Sequence, residues 1–297
     1  MYMKVYLVEP IHQKALSYLR EYVEICDDLS ICDGLITRNI KVDASVMEKA
    51  KNLKVIGIHG TGINDVDVLE AKRRNIIVFN APDQNSLSVA EMNVMLMLLL
   101  SKKGKEAINY YPSDVLAPIT LMSNEVTDKT AGFIGVGNIA LKTAKMLHFG
   151  FNMRILGYNR TDKRIDYIEM CDLEKVLKES DYLFVGMALN DQTRGMINEE
   201  CFSKMKKSAY LINTARGAIV DEPSLLKALR EKQIAGYGAD VFEHEPNINP
   251  ELGKYNVVMT PHIAASTDEA LYRVGMLTVK QMVQALMGQK VEYEIKE

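Results

Sequence analysis

The sequence predicts an α/β protein built as two doubly wound parallel-sheet domains with a cleft between them. Three observations predict it. Short apolar runs alternate with amphipathic stretches through the first third of the chain, a second alternating series begins at Thr130, and one strand-to-helix junction in that series is a glycine turn. Such alternation marks parallel strands joined by helical crossovers. A length of 297 residues suits two cores better than one.

The first series comprises Lys4 to Val8, Gly34 to Thr37, Leu53 to Ile58 and Ile76 to Phe79, with helical segments such as Ile11 to Tyr22 between them. The apolar stretch Val94 to Leu100 is bounded by Asn93 and by Ser101-Lys102-Lys103, too short to span a bilayer, and reads as a buried helix. Residues Asn109 to Asp128, with Pro112 and Pro118, lack periodicity and read as a crossing segment. The second series runs from Thr130 through Met153 to Gly157, Tyr182 to Gly186, Ala209 to Asn213, Ile234 to Ala239 and Val257 to Thr260. Thr267 to Leu286 reads as one amphipathic helix that returns to the first domain. The expected division is therefore 1–98 plus 270–297 for a discontinuous substrate domain and 99–269 for a dinucleotide-binding domain.

A net charge of -3 and a pI near 6.0 give no electrostatic footprint for nucleic acid or membrane, which leaves a small-molecule partner. The start, MYMKVYLVEP, lacks the basic and long apolar regions of a signal peptide, so a cytoplasmic protein is expected. Cys26, Cys32, Cys171 and Cys201 lack metal or redox spacing and read as free thiols. No His, Cys and carboxylate cluster has metal-ligand spacing, so no metal is expected. The methionines, several between Met92 and Met97, read as filling for core and subunit surfaces.

The glycine turn is Gly135-Val136-Gly137-Asn138-Ile139-Ala140, preceded by a strand and followed by a helical run from Leu141 to His148. Gly135 permits a tight turn, Gly137 lets the backbone approach a pyrophosphate, and Ala140 allows close helix packing; this is a Rossmann-type dinucleotide site. The next strand ends in Tyr158-Asn159-Arg160, where an NAD enzyme carries an acid for the ribose hydroxyls. Neutral Asn159 removes repulsion of a 2′-phosphate and Arg160 can pair with it. The cofactor is therefore read as NAD(P), leaning towards NADP(H).

Three further motifs end apolar runs: LINTARG from Leu211 to Gly217, DVFEHEP from Asp240 to Pro246, and Thr260-Pro261-His262. The rigid guanidinium of Arg216 suits the two oxygens of a 2-keto acid's carboxylate. His262 suits proton exchange with the carbonyl oxygen, since histidine titrates near neutral pH. Glu245 is the candidate carboxylate that fixes its tautomer. His12, His148 and His244 read as ordinary polar residues, Lys102, Lys103 and Lys105 as a solvated helix end, and His59 stands open between substrate contact and strand end.

In this order, the glycine turn, NTARG, DVFEHEP and TPHIAAST resemble the D-isomer-specific 2-hydroxyacid dehydrogenase family, which includes D-3-phosphoglycerate dehydrogenases and glyoxylate or hydroxypyruvate reductases. The resemblance extends to Asn52 to Gly57, Gly60-Thr61-Gly62, Asn80-Ala81-Pro82 and Asn85 to Glu91. It implies a flavodoxin-like substrate domain beside the Rossmann-type domain, usually in a homodimer, and hydride transfer between nicotinamide and a small 2-keto or 2-hydroxy acid. It also implies Asp240 near the nicotinamide, Thr214, Ala215 and Met187 along the cofactor, Asn138 and Ile139 at the pyrophosphate, and Gly60, Thr61 and Gly62 as a backbone cradle for the substrate carboxylate.

Ile58-His59 stands where phosphoglycerate-type members often carry an arginine, whereas NSLSVAE and HIAAST-DEA resemble that branch, so the substrate stays open among glyoxylate, hydroxypyruvate and phosphohydroxypyruvate. No serine-binding regulatory extension is expected after Glu297, and the tryptophan usual before the nucleotide domain is absent. The alternative is a dinucleotide-sensing binding protein or corepressor on the same fold.

Overall fold

A computed structural model describes residues 2–110, 121–161 and 163–296. Pro112 and Pro118 of the expected crossing segment lie outside the described residues. The elements begin β1 (Lys4–Leu7), α1 (Gln13–Arg20), β2 (Glu24–Cys26), β3 (Gly34–Thr37), α2 (Ala44–Lys49), β4 (Val55–Ile58), α3 (Val68–Arg73) and β5 (Ile77–Phe79). They continue α4 (Ser86–Ser101), α5 (Gly104–Tyr110), β6 (Thr130–Ile134), α6 (Asn138–Phe151), β7 (Arg154–Tyr158), β8 (Glu169–Met170), α7 (Leu173–Glu179) and β9 (Tyr182–Val185). The remainder are α8 (Glu199–Lys204), β10 (Tyr210–Asn213), α9 (Glu222–Arg230), β11 (Gly236–Ala239), β12 (Val257–Met259) and α10 (Asp268–Leu286).

The chain divides into two compact units, Met1–Asn85 with Ala265–Glu297 and Ser86–Ala264. In the first, five strands pair in the order β2-β1-β3-β4-β5, all parallel. This is the flavodoxin-like order. β3 and β4 are buried throughout, as parallel strands covered on both faces must be. Alternate residues serve opposite faces: Ile36 and Val55 join Ala15, Leu19, Val279 and Met282, while Leu35 and Ile56 join Met47 and Val78. Helix α10 belongs to this unit because Val279, Met282 and Val283 pack into the core of one face.

The second unit has seven strands in the order β12-β11-β10-β9-β6-β7-β8, again all parallel. From β6 onward this is the Rossmann order with one added strand. Its core lies on both faces of the sheet. Phe133 and Phe184 stack 4.9 Å apart on one face, and Ile134, Leu183 and Leu211 pack on the other.

Two boundaries differ from those read in the sequence. The expected division at 98/99 cuts α4, but the helix is one element whose Leu96, Met97 and Leu100 pack with Ala140, Ala144 and Leu147 of α6. It therefore belongs wholly to the second unit. The return to the first unit comes at Ala265 rather than 270, because Thr267 caps α10 by accepting from the Ala270 N–H at 3.2 Å. Among the described residues, no helix is long and apolar enough to cross a membrane.

Candidate active site

The parallel register of β10, β11 and β12 aligns Asn213 with Ala239 and Ala239 with Met259. Beyond those residues the chain continues into Thr214-Ala215-Arg216, into Asp240, and into Thr260-Pro261-His262. The three motifs thus leave adjacent strands at the carboxyl edge of one sheet, where α/β folds place their ligands. Gly217 then lets the chain after β10 touch the chain after β11. A Cβ there would stand 2.0 Å from the Phe242 carbonyl carbon and 2.2 Å from the Glu243 nitrogen.

His262 Nδ1 lies 2.8 Å from Glu245 Oε2, and the other oxygen of Glu245 accepts the Phe242 N–H at 2.7 Å. Both carboxylate oxygens are thereby fixed. With Nδ1 engaged by the carboxylate, Nε2 is the ring atom available to exchange a proton. The His262 side chain is 40% exposed, enough for a substrate to reach it.

His262 has φ of 54°, a left-handed conformation that a non-glycine residue keeps only under constraint. Asp240 supplies the constraint. It is 1% exposed, and its Oδ1 accepts from the Thr260 hydroxyl at 2.6 Å and the Ile263 N–H at 2.9 Å, while Oδ2 accepts from the Ala264 N–H at 2.7 Å. The carboxylate expected near the nicotinamide is thus turned onto the loop that carries His262, bracketing it on both sides.

Arg216 is half-buried, donates to the Ala215 carbonyl at 2.7 Å, and pairs with no carboxylate among the described residues. Its backbone is fastened by buried Asn213, which donates to the Arg216 carbonyl at 3.0 Å and accepts from the Ala215 N–H at 3.0 Å. Thr214 is held separately, its hydroxyl donating to Asn93 Oδ1 on α4 at 2.9 Å. Sequence reasoning took Asn93 only as the boundary of an apolar run, because its polar partners Thr214 and Thr143 are distant in sequence.

At the glycine turn, Gly135 has φ of 95° and a Cβ there would meet the Gly186 carbonyl carbon at 2.7 Å. Only glycine fits both demands. Gly137 caps α6 without a side-chain hydrogen bond, and among the described residues nothing lies within 4 Å of where its Cβ would be. The first N–H groups of α6, from Asn138 and Ile139 onward, have no carbonyl of their own helix to bond, and the helix dipole stands behind them. This cradle fits a dinucleotide's pyrophosphate. Met187 follows Gly186 beside the turn, its Cγ 2.9 Å from the Cβ position at Gly135.

The chain after β7 closes on the Val136 peptide. Asn159 Oδ1 accepts the Val136 N–H at 3.3 Å, and Lys163 Nζ donates to the Val136 carbonyl at 2.6 Å. Arg160 is exposed and donates to Gln192 Oε1 at 2.9 Å. Lys163 was not singled out from sequence, since a lysine in a polar loop carries no distinctive signal.

In the first unit, Gly60, Thr61 and Gly62 follow β4. Asn80 Nδ2 donates to the Thr61 carbonyl at 2.8 Å, and the Ala81 N–H donates to the Gly60 carbonyl at 2.8 Å, which fixes the loop from its carbonyl side. His59 is 3% exposed and neither ring nitrogen has a hydrogen-bond partner among the described residues; burial pushes its pKa down to about 4. Its ring is a core group at the end of β4. His12 also acts structurally, accepting from the Lys14 N–H at the start of α1.

Residues 94–264 match the family described as D-isomer specific 2-hydroxyacid dehydrogenase, NAD binding domain. The chain is 37% identical over 318 residues to a glyoxylate reductase of Thermofilum pendens, covering 96% of this chain and 92% of that protein. It is 35% identical over 305 residues to a D-3-phosphoglycerate dehydrogenase of Archaeoglobus fulgidus, covering 96% of this chain but only 58% of that longer protein. Among solved structures, the TT0316 protein of Thermus thermophilus superposes with a TM-score of 0.92 at 30% identity, covering 99% of this chain and 100% of that one.

Proposed function

This chain belongs to the D-isomer specific 2-hydroxyacid dehydrogenase family of oxidoreductases, and from that premise we propose that it interconverts a small 2-keto acid and the matching D-2-hydroxy acid with NAD(P). The observation that carries the reading is the 2.8 Å pairing of His262 with Glu245 at the same strand edge as Arg216, which pairs with no carboxylate among the described residues. A dinucleotide held there would supply the hydride chemistry, as donor in reduction and acceptor in oxidation. His262 Nε2 gives a proton to the carbonyl oxygen during reduction and takes it back during oxidation. Glu245 holds the ring so that Nε2 faces outward. Arg216 grips the substrate carboxylate with two parallel donors.

Gly135, Val136, Gly137, Asn138 and Ile139 hold the pyrophosphate in this reading, with Thr214, Ala215 and Met187 along the rest of the cofactor and Asp240 positioning the loop beside it. Asn159 and Arg160 favour NADP(H), supported by the cationic Lys163 on the same turn. Gly60, Thr61 and Gly62 are the substrate cradle of the first unit. A homodimer is supported by α4, which packs one apolar face inward yet leaves Leu87 and Met95 exposed. The four unpaired cysteines fit a reducing compartment such as the cytoplasm.

The test is the initial rate of NADPH and, separately, NADH oxidation with glyoxylate, hydroxypyruvate, phosphohydroxypyruvate, pyruvate and a bulky branched 2-keto acid. Turnover with one acid and faster use of NADPH is the expected result. Silence across the panel while the dinucleotide still binds would overturn the enzymatic reading.

A further inference from the structure

A line of hydrogen bonds runs through the interior of the second unit from the strand edge to the nucleotide helix. The Thr214 hydroxyl donates to Asn93 Oδ1 at 2.9 Å, Asn93 Nδ2 donates to Thr143 Oγ1 at 3.1 Å, and the Thr143 hydroxyl donates to the Ile139 carbonyl at 3.0 Å. Thr214, Asn93 and Thr143 are 8%, 3% and 0% exposed. Every bond points the same way, so the chain is polarised along its length.

The two ends of this line are the two places where a dinucleotide is gripped. Ile139 lies in the first turn of α6, next to the helix N-terminus that the proposed reading assigns to the pyrophosphate. Thr214 and Ala215 immediately precede Arg216. Asn93 is the member bonded to both threonines, and among the buried positions of α4 between Val89 and Met97 it alone is polar. A leucine there would satisfy packing. A buried amide is costly unless its bonds are made, so its geometry is specified by both threonines at once.

We propose that Asn93 is a positioning residue that sets the spacing between the first turn of α6 and the Thr214–Ala215 strand end, so that the nicotinamide half of the dinucleotide binds in register with the pyrophosphate half. The inference rests on the dinucleotide reading given above. A ligand held at two points gains affinity from the second only when the spacing matches. Loss of Asn93 therefore removes the contribution of the nicotinamide end and leaves the pyrophosphate cradle intact.

The experiment compares dissociation constants for NADH and for ADP-ribose, which lacks the nicotinamide, in the wild type, Asn93→Leu and Thr143→Val; the 2′-phosphorylated pair replaces them if the wild type binds only NADPH. The leucine keeps the shape and removes both polar functions. The expected result is a rise of about tenfold for the full dinucleotide, the size of one lost buried hydrogen bond, with ADP-ribose binding unchanged within about twofold. Thr143→Val is expected to act in the same sense, and it carries the test if Asn93→Leu does not fold. Equal losses for both ligands would mean a merely structural role and would overturn the proposal, as would unchanged binding of both. A wild type that binds neither dinucleotide would instead refute the functional reading, and this inference with it.

Discussion

Gly217→Ala probes how the His262–Glu245 pair, proposed to be catalytic, is held without altering either member. The added Cβ stands 2.0 Å from the Phe242 carbonyl carbon and 2.2 Å from the Glu243 nitrogen, and both obstacles are backbone. Ordinary contact begins at 3.4 Å, so the segments after β10 and β11 must part by roughly 1 Å or more. The Phe242 N–H is the donor that fixes Glu245, and Glu245 fixes His262. A displacement of this size at a group that sets reacting geometry costs about 100-fold in turnover. The strain also lowers stability by about 1–3 kcal/mol. Steady-state kinetics with the best acid of the panel, alongside a thermal melt, provide the assay. A folded Gly217→Ala protein with the wild-type kcat would refute the reasoning that this close approach positions the pair.

Three further outcomes follow from other parts of the molecule. Arg160→Ala is expected to raise the KM for NADPH by about tenfold while leaving that for NADH within about twofold, the effect of removing one phosphate-pairing charge; equal changes for the two cofactors would remove Arg160 from that role. Burial holds His59 at about 4 against a usual value of 6.5, so between those pH values the unfolded chain binds a proton that the folded chain does not. Its contribution is therefore without penalty above pH 6.5 and costs stability as pH falls, by roughly 3 kcal/mol across the window. His59→Leu should flatten that slope in urea titrations at about pH 7.5 and about pH 5, either side of the unfolded value, and an unchanged slope would contradict the assignment. Asp240→Asn should weaken the clamp on the His262 loop and reduce kcat by more than about tenfold, roughly the effect of disturbing several buried charge-assisted bonds, and retention of wild-type turnover would show that the loop holds His262 unaided.

Much of the architecture was readable in the sequence because β3, β4, β9 and β10 are apolar runs of the length that buried parallel strands require. β2 and β8 were not, being edge strands of three and two residues without an apolar run. The domain boundary was misplaced because α4 is apolar on several sides, so its composition does not reveal which core it joins. At the site, Gly135, Arg216, Glu245 and His262 carried strong local signals of residue type and spacing. Asn93, Lys163 and the clamp made by Asp240 did not, since each depends on partners far away in sequence, such as Thr143 and Val136. Asp240 illustrates the difference most clearly. Its motif marked it as important, while only the three donors on its oxygens reveal what it holds.

The central claim is that His262, held by Glu245, moves the proton that accompanies hydride transfer. Its most direct test is the single-turnover rate of His262→Ala, measured with the dinucleotide dissociation constant on the same preparation. The account predicts a loss of about 100- to 10,000-fold in rate with dinucleotide binding unchanged within about twofold. Turnover near the wild-type rate in that variant would contradict it.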